Sequence, residues 1–319
     1  MQTRPLGRSG LAIPPLVFGG NVLGWTVAQD DAFSILDAWV DAGMNVIDTA
    51  DMYSRWAPGN RGGESEVIIG NWLARRGRRD DVIIATKVGM EMGPGAKGLG
   101  HAYIARAVED SLVRLQTDYI DLYQSHQDDP DTPITETLGA YAKLIEQGKV
   151  RVIGASNFTS VRLSEALMAS ERHGLPRYES VQPEYNLYTR ETYEGHLQDV
   201  VMAQDLGTIN YFALASGFLT GKYRRASDAE HSVARGSGVV QKYLNPRGER
   251  ILSALDQVAD AIGATPAQIT LAWELAQPGI TAPIVSATSL KQVAELAAAA
   301  QLKLSDDHLD LLSQASAWR

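Results

Sequence analysis

Short apolar runs alternate with helical segments along almost the whole chain, and this alternation restricts the fold more than any other feature of the sequence. Eight runs have the length and apolarity of buried β-strands, from Leu16-Val17-Phe18 to the run at 280–286. Alternating strands and helices predict a parallel sheet. Eight such strands favour an α/β fold of the closed (β/α)8 type, the TIM barrel, over an open doubly wound sheet. Before them, Gly7, Ser9 and Gly10 predict the turn of an N-terminal β-hairpin.

The other predicted elements continue this alternation. Strands are expected at 46–48, 82–87, 120–125, 150–155, 180–182 and 208–213, and helices at 30–42, 64–76, 103–115, 134–146, 160–173, 193–206, 246–263, 266–276, 290–300 and 306–313. No linker rich in Pro, Gly or Ser divides the sequence, so residues 1–319 are expected to form one domain. The long irregular stretches at 54–63 and 214–245 are expected at the C-terminal rim of the barrel, where long loops are usually functional.

The composition excludes several classes of function. The 319 residues carry a formal net charge of −9 and no basic stripe, so nucleic acid is not expected as a partner. The chain has no cysteine, which excludes disulfides and thiolate nucleophiles. None of the six histidines forms an HxH or HExxH pair, so no metal site is expected. No apolar run is long enough to cross a bilayer and the first residues lack a signal-peptide pattern, so we expect a cytoplasmic protein without membrane contact.

Four ionisable side chains follow three successive predicted strands. Asp48 ends the strand at 46–48 and Tyr53 lies shortly after it, whereas Lys87 ends the next strand and His126 follows the third. The C-terminal ends of barrel strands carry the active sites of TIM-barrel enzymes. Each residue alone has a common structural role, as a turn cap, a core phenol, a lysine that reaches water or an ordinary histidine. Together they predict a proton-transfer site.

The chemistry of these four residues is complementary. A phenol has a pKa of about 10, and a nearby ammonium lowers that pKa by stabilising the phenolate. We expect Lys87 to act in this way on Tyr53, while Asp48 keeps the lysine charged. His126 is expected to donate a hydrogen bond to a substrate oxygen or to relay protons near neutral pH. A carbonyl group between Tyr53 and His126 would then be ready to accept hydride.

A second group of polar residues ends the later strands. Ser156 and Asn157 follow the strand at 150–155, and Gln182 ends the next strand. Amide side chains offer both donors and acceptors, which suits a carboxamide such as that of nicotinamide. Tyr211 offers an aromatic face on which a nicotinamide ring can stack. Taken alone, Asn157 and Gln182 would be assigned to structural hydrogen bonds with loop backbone.

A dinucleotide also needs a phosphate-binding device, and the usual glycine-rich motifs are absent from the sequence. Neither G-x-G-x-x-G after a strand nor GxxxxGK[ST] occurs. The segment 214–222, here called the clasp, is the candidate, because its backbone amides and Lys222 can surround a pyrophosphate while Arg235 adds positive charge. The clasp residues assigned to the cofactor are Leu214, Ser216, Gly217, Leu219 and Lys222. A plain solvated loop is the structural alternative.

The remaining candidates lie near the first and last strands. An N-terminus of the last barrel helix would favour phosphate, although it could equally be an ordinary helix cap. The cofactor candidates in these two regions are Gly20, Asn21, Ser286, Thr288, Gln292 and Glu295, and Asp48 is a further cofactor candidate. Trp25 and Trp56 are expected to line the substrate pocket with Tyr53 and His126, because aromatic rings suit a sugar or a flat ring.

These segments, in this order, resemble the signature segments of the aldo-keto reductase superfamily over nearly the whole chain. The matching segments are Asp48-Thr49-Ala50-x-x-Tyr53, Thr86-Lys87, Asp121-Leu122-Tyr123-Gln124-x-His126, Gly154-x-Ser156-Asn157, Gln182-Pro183-x-Tyr185-Asn186, Gly221-Lys222-Tyr223 and Thr288-x-x-x-Gln292-x-x-Glu295. Each segment alone is a weak signal, whereas the ordered set is specific.

The resemblance implies a (β/α)8 barrel, a nicotinamide cofactor extended across its rim, and direct hydride transfer to an aldehyde or ketone. It implies that Tyr53 is the general acid, that Lys87 and Asp48 tune it, and that His126 orients the carbonyl. It further implies that Ser156, Asn157 and Gln182 bind the carboxamide of nicotinamide and that Tyr211 stacks on the nicotinamide ring.

The sequence departs from the family pattern at the cofactor site. Phe212-Ala213-Leu214 stands where Ser-Pro-Leu is frequent, and Leu296 stands where asparagine is common. Ser286 and Thr288 replace strong positive charge, which leaves Lys291 as the only nearby cation in sequence. NADP(H) is the expected cofactor, and NAD(H) stays open.

We therefore predict an NAD(P)-dependent oxidoreductase that transfers hydride between nicotinamide and an aldehyde or ketone, or the corresponding alcohol, with a sugar or aromatic carbonyl among the candidate substrates. Tyr53 is the predicted general acid or base. The alternative is a nicotinamide-binding redox sensor or regulatory subunit with little turnover. The sequence leaves the individual substrate, the direction of the reaction and a homo-oligomeric state open.

Overall fold

The computed structural model describes residues 2–232 and 234–318, and its main feature is a sheet of eight parallel strands that closes into a barrel. The strands are β1 (Arg4–Pro5), β2 (Ala12–Ile13), β3 (Val17–Gly19), β4 (Val46–Asp48), β5 (Ile83–Val88), β6 (Ile120–Ser125), β7 (Val150–Ser156), β8 (Tyr178–Gln182), β9 (Gly207–Thr208) and β10 (Ile284–Val285). Strands β3 to β9 pair in chain order, and β10 pairs with β3. A parallel bridge joins Thr208 to Ile280, and the Thr281 N–H donates to the Thr208 carbonyl at 2.9 Å, which closes the ring. The predicted barrel fold is confirmed.

Helices cover the outside of this sheet. They are α1 (Gln29–Asp41), α2 (Glu64–Arg76), α3 (His101–Leu115), α4 (Ile134–Glu146), α5 (Ser160–His173), α6 (His196–Gln204), α7 (Gly236–Tyr243), α8 (Pro246–Ile262), α9 (Pro266–Leu275), α10 (Leu290–Ala299) and α11 (Asp306–Ala315), with short 3-10 helices at Gly20–Val22, Ala215–Thr220 and Ala226–His231. Thr159, Asn245, Thr265, Ser289 and Ser305 cap helix N-termini by accepting backbone N–H groups, so polar side chains fix several helix starts. In the described chain, no helix combines the length and the apolarity needed to cross a membrane.

Strand β5 shows how the sequence directs side chains to the two faces of the barrel. Side chains of a strand alternate between faces. Ala85 belongs to the apolar cluster inside the barrel, whereas Ile84 packs in the larger cluster between sheet and helices. Thr86 also points outward, where its hydroxyl donates to Glu66 of α2 at 2.6 Å. Lys87 therefore points into the barrel, at the C-terminal end of its interior.

The N-terminal hairpin closes the opposite end of the barrel. Strands β1 and β2 pair antiparallel, as predicted. Leu6 and Ile13 of this hairpin join the apolar cluster formed by inward-facing strand residues. Gly207 lies so close that a β-carbon there would approach the Leu6 Cδ1 atom to 2.5 Å. With the N-terminal end filled, access to the barrel interior is left to the C-terminal rim.

Two sequence predictions about the second half need correction. The strands predicted at 208–213 and 280–286 are shorter, and form β9 and β10. Phe212 has a φ of 55°, which a strand over 208–213 cannot contain, and Pro283 lies within the second run without an N–H to donate. The stretch at 214–245 is not wholly irregular, because it contains α7. Two glycines in the eight residues of α7 concealed it, since glycine lowers helix propensity.

Candidate active site

The strand register brings the predicted catalytic residues to one end of the barrel. Asp48 pairs with Ala85 across β4 and β5, and Lys87 lies two residues beyond Ala85 on the same inward face. His126 directly follows β6 and is buried. Tyr53 sits on the turn after β4, where its N–H donates to the Ala50 carbonyl at 3.1 Å. Four residues spread over 79 positions thus meet at the rim because parallel strands end together, 79 being the span from 48 to 126 inclusive.

Lys87 forms the centre of the site. Its ammonium donates to Asp48 Oδ2 at 2.5 Å, to the Thr49 carbonyl at 2.7 Å and to the Tyr53 hydroxyl at 2.9 Å. These contacts use all three N–H donors of the side chain. Because Lys87 donates to the phenol oxygen, this contact does not use the phenol hydrogen.

The second carboxylate oxygen of Asp48 is also satisfied. Gln124 and Gln182 each donate an amide hydrogen to Asp48 Oδ1, at 3.1 and 3.0 Å. Gln124 was missed in the sequence. Its position two residues after inward-facing Leu122, on β6, is the period-two signal that could have identified it.

The acidity of Tyr53 differs from the sequence prediction. Burial raises the pKa of Tyr53, and the opposing effect of Lys87 does not overcome that rise. Burial disfavours the charged form of Lys87, but Asp48 and Tyr53 together raise the pKa of this ammonium above its ordinary value. The prediction of an acidified phenol was therefore wrong in its net direction, because loss of solvent around the phenol disfavours the phenolate more than Lys87 favours it. The site holds a protonated phenol against a charged lysine.

His126 stays neutral in this environment. Burial lowers the pKa of His126 well below its ordinary value, and the neighbouring Lys87 lowers that pKa further. The imidazole stands edge-on to Tyr53, with ring centroids 5.9 Å apart. A neutral imidazole can donate one hydrogen bond but cannot relay protons through its charged form near pH 7. Of the two roles predicted for His126, only hydrogen-bond donation agrees with this environment.

A cavity of about 750 Å³ opens above these residues at the C-terminal rim. Tyr53 and His126 form part of its floor. The predicted cofactor residues that line the cavity are Asn21, Ser156, Asn157, Gln182, Tyr211, Leu214, Ser216, Gly217, Lys222, Arg235, Ser286, Thr288, Gln292 and Glu295. The cavity has the volume typical of cofactor clefts, about 300–1,000 Å³.

Residues at or just beyond the ends of β7, β8 and β9 hydrogen-bond to one another. Asn157 donates to the His126 carbonyl at 2.9 Å and accepts a hydrogen bond from the Tyr211 hydroxyl at 2.8 Å. The Ser156 hydroxyl donates to the Gln182 carbonyl at 3.0 Å. These contacts hold Ser156, Asn157 and Gln182 in place. They also show that Asn157 positions Tyr211 and His126.

The rim concentrates backbone strain. Seven residues other than glycine have positive φ in the described chain. Two of them, Gln116 and Asp205, simply end helices. The other five lie at the rim: Ser54, Asn157, Phe212, Ala215 and Ser216. Strained residues of this kind cost about 1–3 kcal/mol each and cluster at functional sites.

The clasp lines one side of the cavity. Gly217 has a φ of 93°, and a β-carbon there would come within 3.2 Å of Lys222 Nζ. Lys222 is exposed, whereas Arg235 is half-buried, and both line the cavity. The clasp and Arg235 thus place two cations and a close backbone approach beside the same cavity, a set of groups that suits a pyrophosphate.

The opposite end of the cavity is formed by the start of α10. The Ser286 hydroxyl donates to the Gly19 carbonyl at 2.7 Å, and the Thr288 N–H donates to Gln292 Oε1 at 2.7 Å. Glu295 accepts a hydrogen bond from Thr265 at 2.6 Å. Lys291 is exposed and does not line the cavity. This end therefore presents hydroxyls, an amide and one carboxylate.

Four predicted contact residues do not line the cavity. Gly20 is buried, and a β-carbon there would meet Ser65 Oγ at 2.9 Å, so its role is close packing. Leu219 is fully buried in the core, on the far side of the clasp. Trp25 stands behind Trp56, edge-on at 5.7 Å. Asp48 likewise lies beneath Lys87 and reaches the cavity only through that residue.

The sequence analysis missed much of the apolar lining. Cavity residues that carried no earlier assignment include Gly19, Val22, Thr26, Met52, Met90, Phe212, Thr220, Ser232, Ala234, Ala267 and Leu296. Apolar side chains in loops carry no periodic signal, so only the fold reveals which of them face the cavity. Among residues 2–232 and 234–318, no cluster of three histidine, aspartate or glutamate residues is arranged to hold a metal ion.

A closed barrel with its polar cavity at the C-terminal rim has the layout of the TIM-barrel enzymes. A family model described as "Aldo/keto reductase family" matches residues 15–317. The chain therefore belongs to the aldo/keto reductase family.

Individual relatives carry varied names. A "Probable voltage-gated potassium channel subunit beta" of Arabidopsis thaliana is 33% identical over 301 residues, which cover 92% of this chain and 90% of that protein. "Protein tas" of Escherichia coli is 32% identical, with 97% and 96% covered. The "Uncharacterized oxidoreductase YrpG" of Bacillus subtilis is 33% identical, with 98% and 95% covered.

Proposed function

We propose that this protein is a nicotinamide-dependent oxidoreductase that transfers hydride between NADP(H) and an aldehyde or ketone, or the corresponding alcohol. The observation that carries the proposal is the contact of Lys87 with both Asp48 and the Tyr53 hydroxyl, at 2.5 and 2.9 Å, on the floor of the 750 Å³ cavity. Family membership and an oxidoreductase-named relative favour the same reaction class.

The residues around the cavity fit a dinucleotide. The amide group of Ser156, Asn157 and Gln182 offers donors and acceptors for a carboxamide. Lys222 and Arg235 offer positive charge for phosphates, and the Thr288 hydroxyl and Gln292 amide would receive the adenosine end. When bound, nicotinamide supplies or accepts the hydride.

The protein's own residues handle the proton. In reduction, Tyr53 donates its phenol proton to the carbonyl oxygen as that oxygen gains negative charge. Lys87 stabilises the phenolate that remains, and Asp48 keeps Lys87 charged. Neutral His126 donates a hydrogen bond to the same oxygen and so orients the carbonyl. In oxidation, the Tyr53 phenolate accepts the alcohol proton.

The lining beside Tyr53 favours an uncharged aromatic substrate over a sugar. Trp56 lies 5.8 Å from Tyr53 between ring centroids, and Met52, Met90 and Phe212 are further large apolar side chains that line the same cavity. Such a wall gains from burying a flat ring, whereas the many hydroxyls of a sugar would lose hydrogen bonds to water there.

A second function is kept because of the relatives' names. A protein from Arabidopsis thaliana and one from Schizosaccharomyces pombe are named as potassium channel subunits beta. This favours, as an alternative, a nicotinamide-binding subunit of a larger assembly with little turnover. We prefer the enzyme because Asp48, Tyr53, Lys87 and His126 are all present at the floor of the cavity.

The test combines binding and turnover. Calorimetric titration with NADP⁺ and NAD⁺ should show binding, with NADP⁺ the tighter ligand. NADPH oxidation should then depend on an added carbonyl, with higher kcat/KM for aromatic aldehydes than for aldoses. Binding without turnover on any carbonyl or alcohol would favour the subunit, and absence of binding to both nucleotides would refute both functions.

A further inference from the structure

The guanidinium of Arg235 lies over the indole ring of Trp25, with Cζ 4.8 Å from the ring centroid. Arg235 directly precedes α7, in the long segment that follows the clasp, whereas Trp25 belongs to the loop after β3. The two residues are 210 positions apart in sequence, the difference between 235 and 25. Their contact therefore joins two separate sides of the cavity mouth.

Trp25 is also connected to the substrate side of the cavity, through its contact with the lining residue Trp56. Its ring stands edge-on to Trp56 at 5.7 Å, and Trp56 in turn lies 5.8 Å from Tyr53. Aromatic pairs in such arrangements contribute energy beyond the area that they bury. A continuous row of side chains thus runs from Arg235 through Trp25 and Trp56 to the predicted proton donor.

The wall that carries the two tryptophans is firmly held. Ser54 donates its hydroxyl hydrogen to the Leu23 carbonyl at 2.5 Å, and Asn60 donates to the Gly24 carbonyl at 2.8 Å. These bonds fasten the loop after β4 to the loop after β3. The backbone around Trp25 and Trp56 is therefore held in place. We expect a displacement of one ring to displace the other, because the two rings are in contact.

Tight packing holds the backbone at Arg235, whereas its guanidinium forms no ion pair with a carboxylate of the described residues. The following residue, Gly236, packs so tightly that a β-carbon would come within 1.7 Å of the Ala229 carbonyl oxygen. Burial lowers the pKa of Arg235, and among the described residues no carboxylate forms an ion pair with it. With the Asn21 amide nitrogen turned toward Ser286, the Asn21 oxygen accepts one Arg235 hydrogen bond at 2.7 Å.

A guanidinium that stacks on a ring keeps its in-plane N–H groups available for an anion. The Trp25 face thus holds Arg235 in place, and the edge of the guanidinium is left to bind phosphate. We propose that Trp25 is a positioning residue that couples cofactor binding to the substrate pocket, with its face holding Arg235 and its edge supporting Trp56. This inference rests on the proposed function and deepens it.

The coupling is tested by NADP⁺ binding, which requires no turnover. The set comprises the wild type, Trp25→Leu, Arg235→Leu and the double variant, each titrated with NADP⁺ by calorimetry. Trp25→Leu should raise Kd about three- to thirtyfold, the range of a cation–π contact. In the Arg235→Leu background the same change should have little effect, because the guanidinium that it holds is gone.

Two further variants separate positioning from loss of structure. Trp25→Phe keeps a smaller aromatic face and should recover most of the NADP⁺ affinity. Trp56→Leu should raise KM for the carbonyl and leave the NADP⁺ Kd unchanged, whereas Trp25→Leu should raise both with kcat retained. Melting temperatures identify any variant that fails to fold.

Equal effects of Trp25→Leu with and without Arg235, or an unchanged Kd in Trp25→Leu, would overturn the coupling while leaving the proposed function intact. A wild-type protein that binds neither NADP⁺ nor NAD⁺ would overturn the proposed function, and the coupling with it.

Discussion

Lys87 Nζ lies 2.5 Å from Asp48 Oδ2, and both side chains are buried, with 0% and 1% of their surfaces exposed. A buried charge without its partner is costly, so we expect Lys87→Met and Asp48→Asn each to lower the free energy of unfolding by about 3–5 kcal/mol. The double variant should be more stable than the sum of the single losses predicts. Urea unfolding of all four proteins measures this.

The exposed pair of Lys149 and Glu109, with 31% and 53% of its side chains exposed, serves as the matched control. Removing either partner there should cost at most about 1 kcal/mol, because water solvates the remaining charge. Additive losses at Lys87 and Asp48 would contradict the picture of one buried ion pair.

Tyr53→Phe removes the proposed proton donor, together with one hydrogen bond that Lys87 donates. We expect kcat for carbonyl reduction to fall by roughly 10²–10⁴-fold, the usual contribution of a general acid. Calorimetry should find NADP⁺ affinity unchanged. Tyr103→Phe, which removes a half-buried phenol on α3, is the control and should retain wild-type kcat. A Tyr53→Phe enzyme with normal turnover would exclude this residue as the acid.

The pH profile of reduction follows from the two shifted groups. Burial lowers the pKa of His126 well below its ordinary value and raises that of Tyr53. The imidazole is then already neutral and the phenol still protonated throughout the neutral range, so kcat/KM for reduction should be constant from about pH 6 to about pH 7.5. Steady-state rates in a buffer series measure this. An inflection near the ordinary histidine pKa that disappears in His126→Asn would show that His126 titrates after all.

Asp51 should make stability depend on pH. Burial, and then the neighbouring Glu66, raise the pKa of this carboxyl to about 8 from an ordinary value of 3.8. Between these values the folded protein holds a proton that the unfolded chain has lost, so this group lowers stability progressively as pH rises from about 4 to about 8. Asp51→Asn should therefore raise Tm more at about pH 7.5 than at about pH 5.

Differential scanning calorimetry at both pH values gives the comparison for Asp51→Asn, and Asp80→Asn, at an exposed turn, is the control. Equal changes in Tm at the two pH values would mean that the Asp51 carboxyl is ionised in the fold.

The order of strands and helices was predictable because each element is encoded by the sequence of its own segment. The alternation of apolar runs and helices predicted the hairpin and all eight parallel strands, since each element shows its own period in sequence. The errors in β9 and β10 came from the left-handed backbone of Phe212 and from Pro283, whose effects on strand length depend on the neighbouring strands. The helix α7 was missed because its glycines hide it and tertiary packing, not propensity, stabilises it.

The meeting of Asp48, Tyr53, Lys87 and His126 could also be foreseen, since strand ends of a parallel barrel converge. The sequence by itself thus determined the fold and the members of the floor. Only the tertiary structure decided the raised pKa of Tyr53, the neutral state of His126, the place of Trp25 beside Trp56 and its contact with Arg235. Those properties depend on burial and on side chains distant in sequence, because solvation and charge act through space and leave no periodic trace along the chain.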